Sequence, residues 1–269
     1  FLMHFVYRYW IWIGMMAGSL GWWALSLLTT EPDAVHGLYL AALAYLVVAG
    51  PLRDWSLSKP DASGYGVFHR HSRNAKTVAD APMAISLLVV LGAFAASIYA
   101  TPVSSAAITI WTPALVVVLV ASRCRASLTW LPWVSIFLQA LAWIASGTRF
   151  ADDGVQLVGF APAGQADFLL YAGWMTCLYV GLALWIQRAR PLETRWLSLA
   201  LFAPLIWLTL CYLLVSEIAG SWFWGSMAVA LGAAYLALAG LRIKRGLPAQ
   251  ATAWMIIAGH FAYSLAVAI

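Results

Sequence analysis

The chain has 269 residues, of which 64% are hydrophobic and only 9% charged, against about 25% charged in an ordinary soluble domain. With a mean hydropathy of +0.85, that composition excludes a water-soluble globule, because too little polar surface exists to cover so much apolar side chain; lipid must be the solvent for part of it. The net charge of +5 lies in short connections beside apolar stretches, which points to anionic headgroups rather than to a nucleic acid.

Nine apolar stretches follow one another, at roughly 9–28, 35–52, 82–100, 106–122, 131–146, 168–187, 196–215, 222–241 and 251–268. A helix needs about 20 mostly apolar residues to cross hydrocarbon. Each run is continuously apolar, whereas a membrane β-barrel would alternate polar and apolar residues. Helices also satisfy every backbone polar group within the segment. The predicted fold is all-α: one transmembrane domain over 1–269, with about nine spans as consecutive antiparallel hairpins.

The first stretch opens on Tyr7, Tyr9, Trp10 and Trp12, aromatic residues of the kind that favour the headgroup level. Gly14 and Gly18 form a small-residue face suited to close helix packing. Glu31, Pro32 and Asp33 make the first outer turn. It is too short for a catalytic platform, and reads as a helix boundary: Pro32 stops one helix and Asp33 favours the start of the next.

The inner loop 53–81 follows the second stretch and carries His69, Arg70, His71, Arg73 and Lys76 in FHRHSRNAK. Two histidines are too few for a closed metal site, and the neighbouring cations would repel a metal. Arg70, Arg73 and Lys76 are candidates for contact with lipid headgroups. Pro113 and Pro204 interrupt two stretches, which is common in membrane helices. Gln139 in the fifth stretch is a candidate buried hydrogen-bonding residue.

The outer loop 147–167 carries Asp152 and Asp153 and an apolar patch at 155–160, expected on the membrane surface. Gly173, Cys177 and Gly181 repeat at four-residue spacing in the sixth stretch, and Ala228 and Gly232 in the eighth. The first, sixth and eighth spans are therefore expected to pack through small faces. His260 falls near the middle of the last stretch. An ionisable group at that depth is expected to be neutral, facing protein and hydrogen-bonded to a neighbouring helix. His36 lies at the start of the second stretch, at a different depth, so the two do not suggest a haem site.

Basic residues collect in every second connection: Arg53, Lys59, Arg70, Arg73 and Lys76; Arg123 and Arg125; Arg188, Arg190 and Arg195; Arg242, Lys244 and Arg245. Arg8 precedes the first stretch on the same side, and Arg149 alone lies on the other. The positive side is the cytoplasmic one, which puts the N-terminus inside and residue 269 outside. Cys124, Cys177 and Cys211 form no CxxC pair and imply no disulfide framework. The sequence opens on Phe1, where no signal peptide is expected, and reads as a segment expected to belong to a longer polypeptide.

The run DFLLYAGWMTCLYVGLALWIQRARPLETRWLSLALFAPLIWLTLCYLLV, followed by WFWGSMAVALGAAYLALAGLRIKR, resembles the large bacterial membrane proteins of domain-of-unknown-function family 2339. YRYWIWIGMMAGSLGWWALSLL and LPWVSIFLQALAW are similar to Trp-rich spans of the same family. The resemblance covers most of the chain and rests on Trp and Ala placement and an Arg-rich inner turn. It implies a longer bacterial inner-membrane chain with more spans. It brings no catalytic motif, activity or functional residue with it.

No GxSxG, Walker, HExxH or DxD motif is present. No cofactor, metal or nucleic acid is implied. The expected partners are membrane lipids and protein, including an oligomer. The leading expectation is a noncatalytic helical scaffold that organises partners or lipids. The alternatives are a transporter or channel for a hydrophobic or lipid-linked substrate, and a membrane enzyme acting on lipid-linked sugar. A transporter needs polar groups at mid-depth, where the sequence offers His260, Gln139, Thr209 and Ser97.

Overall fold

The computed structural model describes residues 9–29, 34–57, 75–100, 106–124, 128–151, 154–160, 162–189, 194–215, 220–244 and 249–269. The described chain is helical apart from one two-stranded ribbon. In chain order the helices are α1 (Tyr9–Thr29), α2 (Ala34–Leu57), α3 (Ala75–Ala100), α4 (Ala106–Cys124), α5 (Leu131–Ser146), α6 (Pro162–Ala189), α7 (Thr194–Val215), α8 (Ser221–Lys244) and α9 (Ala249–Ala268). The ribbon, β1 (Thr148–Ala151) and β2 (Gly154–Leu157), lies between α5 and α6. Its antiparallel register pairs Thr148 with Leu157 and Ala151 with Gly154. The fold class is all-α, as expected, with this short ribbon added in the connection between α5 and α6. Half of the patch expected on the membrane surface, residues 155–157, belongs to β2.

Among the described residues, four helices, α6 to α9, are long and apolar enough to cross a bilayer by length and composition. Shorter apolar helical stretches run over Val35–Leu46, Ala84–Ile98, Trp111–Val120 and Leu131–Ser146.

The chain divides into two compact units, one of Phe1–Thr101 and Thr109–Ser135, the other of Pro102–Ile108 and Ile136–Ile269. In the first, α3 buries Leu87, Val90, Leu91, Phe94 and Ile98. That three- and four-residue spacing makes one helix face. Phe94 meets Trp111 of α4 with ring centroids 5.0 Å apart, and α2 packs against α3. The Tyr39 hydroxyl of α2 donates to the Ser19 carbonyl of α1 at 3.0 Å.

In the second unit α7 is the central helix. About 67% of its apolar window is buried, against 22–33% for α6, α8 and α9, so its neighbours rather than lipid surround it. Leu197, Leu201 and Leu205 pack with Tyr235 and Ala239 of α8 and with Met255 and Ala258 of α9. Trp207 packs edge-on against Tyr171 of α6, with centroids 5.6 Å apart. Pro204 stands inside α7. It lacks an N–H and disturbs the turn before it. In that turn the Leu201 carbonyl accepts the Tyr235 hydroxyl at 2.8 Å, so a neighbouring helix supplies a donor where the proline weakens the ladder. At the other end of α6, the Gln187 side-chain oxygen accepts the Leu197 N–H at 3.1 Å, satisfying a donor in the first turn of α7.

Candidate functional site

The polar group buried most deeply among the helices of the second unit is Gln139 of α5. The Tyr171 hydroxyl donates to its Oε1 at 2.8 Å, and its Nε2 donates to the Tyr179 hydroxyl at 3.0 Å. Gln139, Tyr171 and Tyr179 are all fully buried. Tyr171 and Tyr179 lie on the buried stripe of α6 with Phe168, Met175 and Ala183, so one amide ties two levels of α6 to the middle of α5. An amide in an apolar interior without partners costs roughly 1–3 kcal/mol, so the two phenols offset its burial.

An aromatic shell closes around this triad. Trp143 lies 4.9 Å from Tyr171 and 5.1 Å from Phe168 between centroids, both edge-on. Phe160 adds a further edge contact to Trp143 at 5.6 Å. The indole N–H groups of Trp143 and Trp207 are buried with no acceptor among the described residues. The groups are neutral amide, phenol and indole, so the arrangement holds helices in register and offers no charged acid or base.

Phe160 reaches the shell because the ribbon is tied back onto α7. The Val158 and Gly159 N–H groups both donate to the Gly147 carbonyl, at 3.0 and 3.2 Å, and the Phe160 N–H donates to the Leu214 carbonyl at 3.1 Å. Leu214 belongs to the last turn of α7, where carbonyls lack helical partners. Gly159 has φ +71, and a Cβ there would lie 2.9 Å from the Leu214 carbonyl oxygen; only glycine fits without strain. Gln165 Nε2 donates to the Phe160 carbonyl at 2.7 Å. Leu157 and Val158 stay exposed, whereas Phe160 turns inward.

The other sequence candidates fall in different places. His260 is exposed on α9, so it does not face the helices of its own unit: the buried face of α9 is Ala251, Met255, Ala258, Gly259 and Ala262. A Cβ at Gly14, Gly18, Gly173 or Gly181 would meet nothing within 4 Å. Within each unit, then, these four glycines do not stand at a close approach of helices. Gly232 does sit at a close approach, against Gly259, Ala262 and Tyr263 of α9.

His69, Arg70, His71, Arg73, Glu31, Pro32, Asp33, Asp152 and Asp153 lie outside the described residues. Lys76 lies in the first turn of α3. Thr209 donates to the Leu205 carbonyl at 2.8 Å and Ser97 to the Ala93 carbonyl at 3.0 Å. Both hydroxyls are thus satisfied on their own helices. Cys211 is buried and Cys177 exposed, both as free thiols. Among the described residues no three His, Cys, Asp or Glu side chains cluster closely enough to hold a metal. Sequence reasoning finds Gln139 but misses Tyr171 and Tyr179; the signal for them is a tyrosine pair well inside a span instead of at its ends.

No family model, curated protein or solved structure matches this chain. The resemblance to family 2339 therefore rests on the texture of the sequence alone.

Proposed function

We propose that this chain is a multi-pass protein of a bacterial inner membrane, with nine crossings as successive hairpins, the basic connections and N-terminus cytoplasmic and residue 269 on the outer side. Its role is that of a noncatalytic helical scaffold that organises lipids or protein partners. The observation that carries this reading is how the polar groups inside the helices are used. Gln139, Tyr171 and Tyr179 satisfy one another, and Thr209 and Ser97 bond to their own helices. Large apolar side chains face outward instead, among them Trp222, Trp22 and Leu141 at 91%, 71% and 62% exposure. In lipid such an exterior is stable, and association rests on packing and hydrogen bonds.

The test is a variant that keeps the shape of the triad and removes its polarity: Gln139→Leu with Tyr171→Phe and Tyr179→Phe. A scaffold needs only the packing, so the variant should assemble at normal levels and complement a deletion strain. Normal assembly with lost complementation would contradict the reading and favour transport, which needs polar groups at mid-depth.

A further inference from the structure

The packing of α6 to α9 brings four cations to one end of the second unit. Gln187 of α6 accepts the Leu197 N–H of α7, which sets Arg188 beside the first turn of α7, where Arg195 stands. Leu197 shares one buried cluster with Ala239 of α8 and Ala251 of α9. Arg242 and Lys244 follow Ala239 within about a turn and a half of α8. Arg188, Arg195, Arg242 and Lys244 therefore lie at one level of the unit. Arg188, Arg195 and Lys244 are exposed and Arg242 is half-buried. Over 188–195 and 242–245 the sequence holds six basic residues and one acidic residue, Glu193, so the level is strongly positive. At the other end of α6 stands Asp167, about 32 Å from Arg188 along the helix, close to the thickness of hydrocarbon.

Exposed apolar side chains adjoin these cations on the side of the helix centres. Trp185 comes three residues before Arg188 and Leu241 three residues before Lys244, a spacing that puts each pair on one helix face. Trp185 and Leu241 are each 51% exposed, and Ile243 is 62% exposed. An acidic protein or a nucleic acid would engage the cations and leave this apolar surface in water. A phospholipid engages both, with its phosphate on the cation and its glycerol and upper acyl chains on the apolar side chain.

We propose that this end of the unit is a binding surface for anionic phospholipid. Arg188 and Arg195 hold phosphate at the α6–α7 turn, and Arg242 and Lys244 hold it at the end of α8. A guanidinium takes two phosphate oxygens at once, and Lys244 adds a point charge. Phosphatidylcholine carries the same phosphate beside a fixed positive charge, which these cations repel. The surface thus selects lipid by net charge. It gives the scaffold reading a lipid class and rests on the membrane crossings of that reading.

The experiment separates the two. Membranes holding the full chain are first extracted with alkaline carbonate. Release of the protein would overturn the membrane crossings and the lipid surface with them. Retained protein is purified in detergent and mixed with phosphatidylglycerol or phosphatidylcholine of the same acyl chains, and bound lipid is counted by native mass spectrometry. Phosphatidylglycerol should bind about twentyfold more tightly, at about fivefold for each of two cations on one phosphate. Arg188→Gln, Arg195→Gln, Arg242→Gln and Lys244→Gln together should remove that preference, whereas Lys at the three arginines should keep most of it. Arg149→Gln, in β1, should leave it unchanged. Inorganic phosphate at the lipid concentration should displace no phosphatidylglycerol. Equal binding of the two lipids by the parent chain, or an undiminished preference in the quadruple variant, would overturn the lipid surface and leave the membrane crossings in place. Displacement by inorganic phosphate would overturn phospholipid as the occupant.

Discussion

Gly232 of α8 and Gly259 of α9 meet backbone to backbone. A Cβ on Gly232 would lie 3.1 Å from the Gly259 carbonyl oxygen, and a Cβ on Gly259 would lie 3.3 Å from the Gly232 carbonyl oxygen and 2.8 Å from Leu236 Cγ. Around this crossing Ala228, Ala258 and Ala262 are fully buried, so small side chains hold the two helices close over several turns. Dispersion between closely spaced backbones is the main attraction that lipid leaves to them.

The first prediction contrasts this crossing with the open glycines. Gly232→Leu should destabilise the protein by about 1–3 kcal/mol, as overpacking does. Gly173→Leu and Gly181→Leu should cost little within one chain, because nothing lies within 4 Å of a Cβ at either position. Thermal unfolding of the three variants in detergent checks this. Equal losses in all three would place the tight seam elsewhere.

The second prediction concerns the triad. Gln139→Leu removes the acceptor of Tyr171 and the donor to Tyr179, leaving two phenols buried in apolar surroundings. The cost should be about 1–3 kcal/mol. Adding Tyr171→Phe and Tyr179→Phe should recover most of it, since the two phenols that lost the amide are then gone. A full double-mutant cycle on thermal stability measures the coupling. Additive losses would mean the hydrogen bonds do not act together.

A third prediction follows from Gly159. Alanine there must take up a left-handed conformation and meet the Leu214 carbonyl oxygen at 2.9 Å. The strain, about 1–3 kcal/mol, should loosen the tie between the ribbon and α7. Protease added to the protein in detergent should cut the 148–160 segment faster in Gly159→Ala than in the parent. Val158→Ala, at an exposed side chain, should leave the rate unchanged. Equal cutting of both variants would argue against the tie.

The helices themselves are legible in the sequence: the stretch read at 196–215 is α7, Thr194–Val215, because continuous apolarity and flanking basic turns mark a span locally. Faces are a different matter. α9 is apolar all round, so nothing local separates the side of Gly259 from that of His260; α7 and α8 decide it. The spacing of Gly173, Cys177 and Gly181 is the same as that of Ala228 and Gly232, and only the neighbour that comes next in the chain makes one seam tight and leaves the other open. Gln139 is readable because an amide in an apolar run must find a partner. Tyr171 and Tyr179 are not, because a phenol reads equally well as a packing aromatic. The ribbon has a weak signal, with Gln156 between Val155 and Leu157 in the second strand and Asp152 and Asp153 between the two strands. The surrounding apolarity makes the same segment read as one lying on the membrane surface.

The central claim is a chain threaded through a membrane with its basic connections on one side. Single cysteines at Ser72, in the basic loop, and at Gly154, at the turn end of β2, test it most directly, labelled with a membrane-impermeant maleimide in intact and in permeabilised cells. The threaded topology predicts that Gly154→Cys is labelled from outside in intact cells and Ser72→Cys only after permeabilisation. Labelling of both from the same side would contradict it.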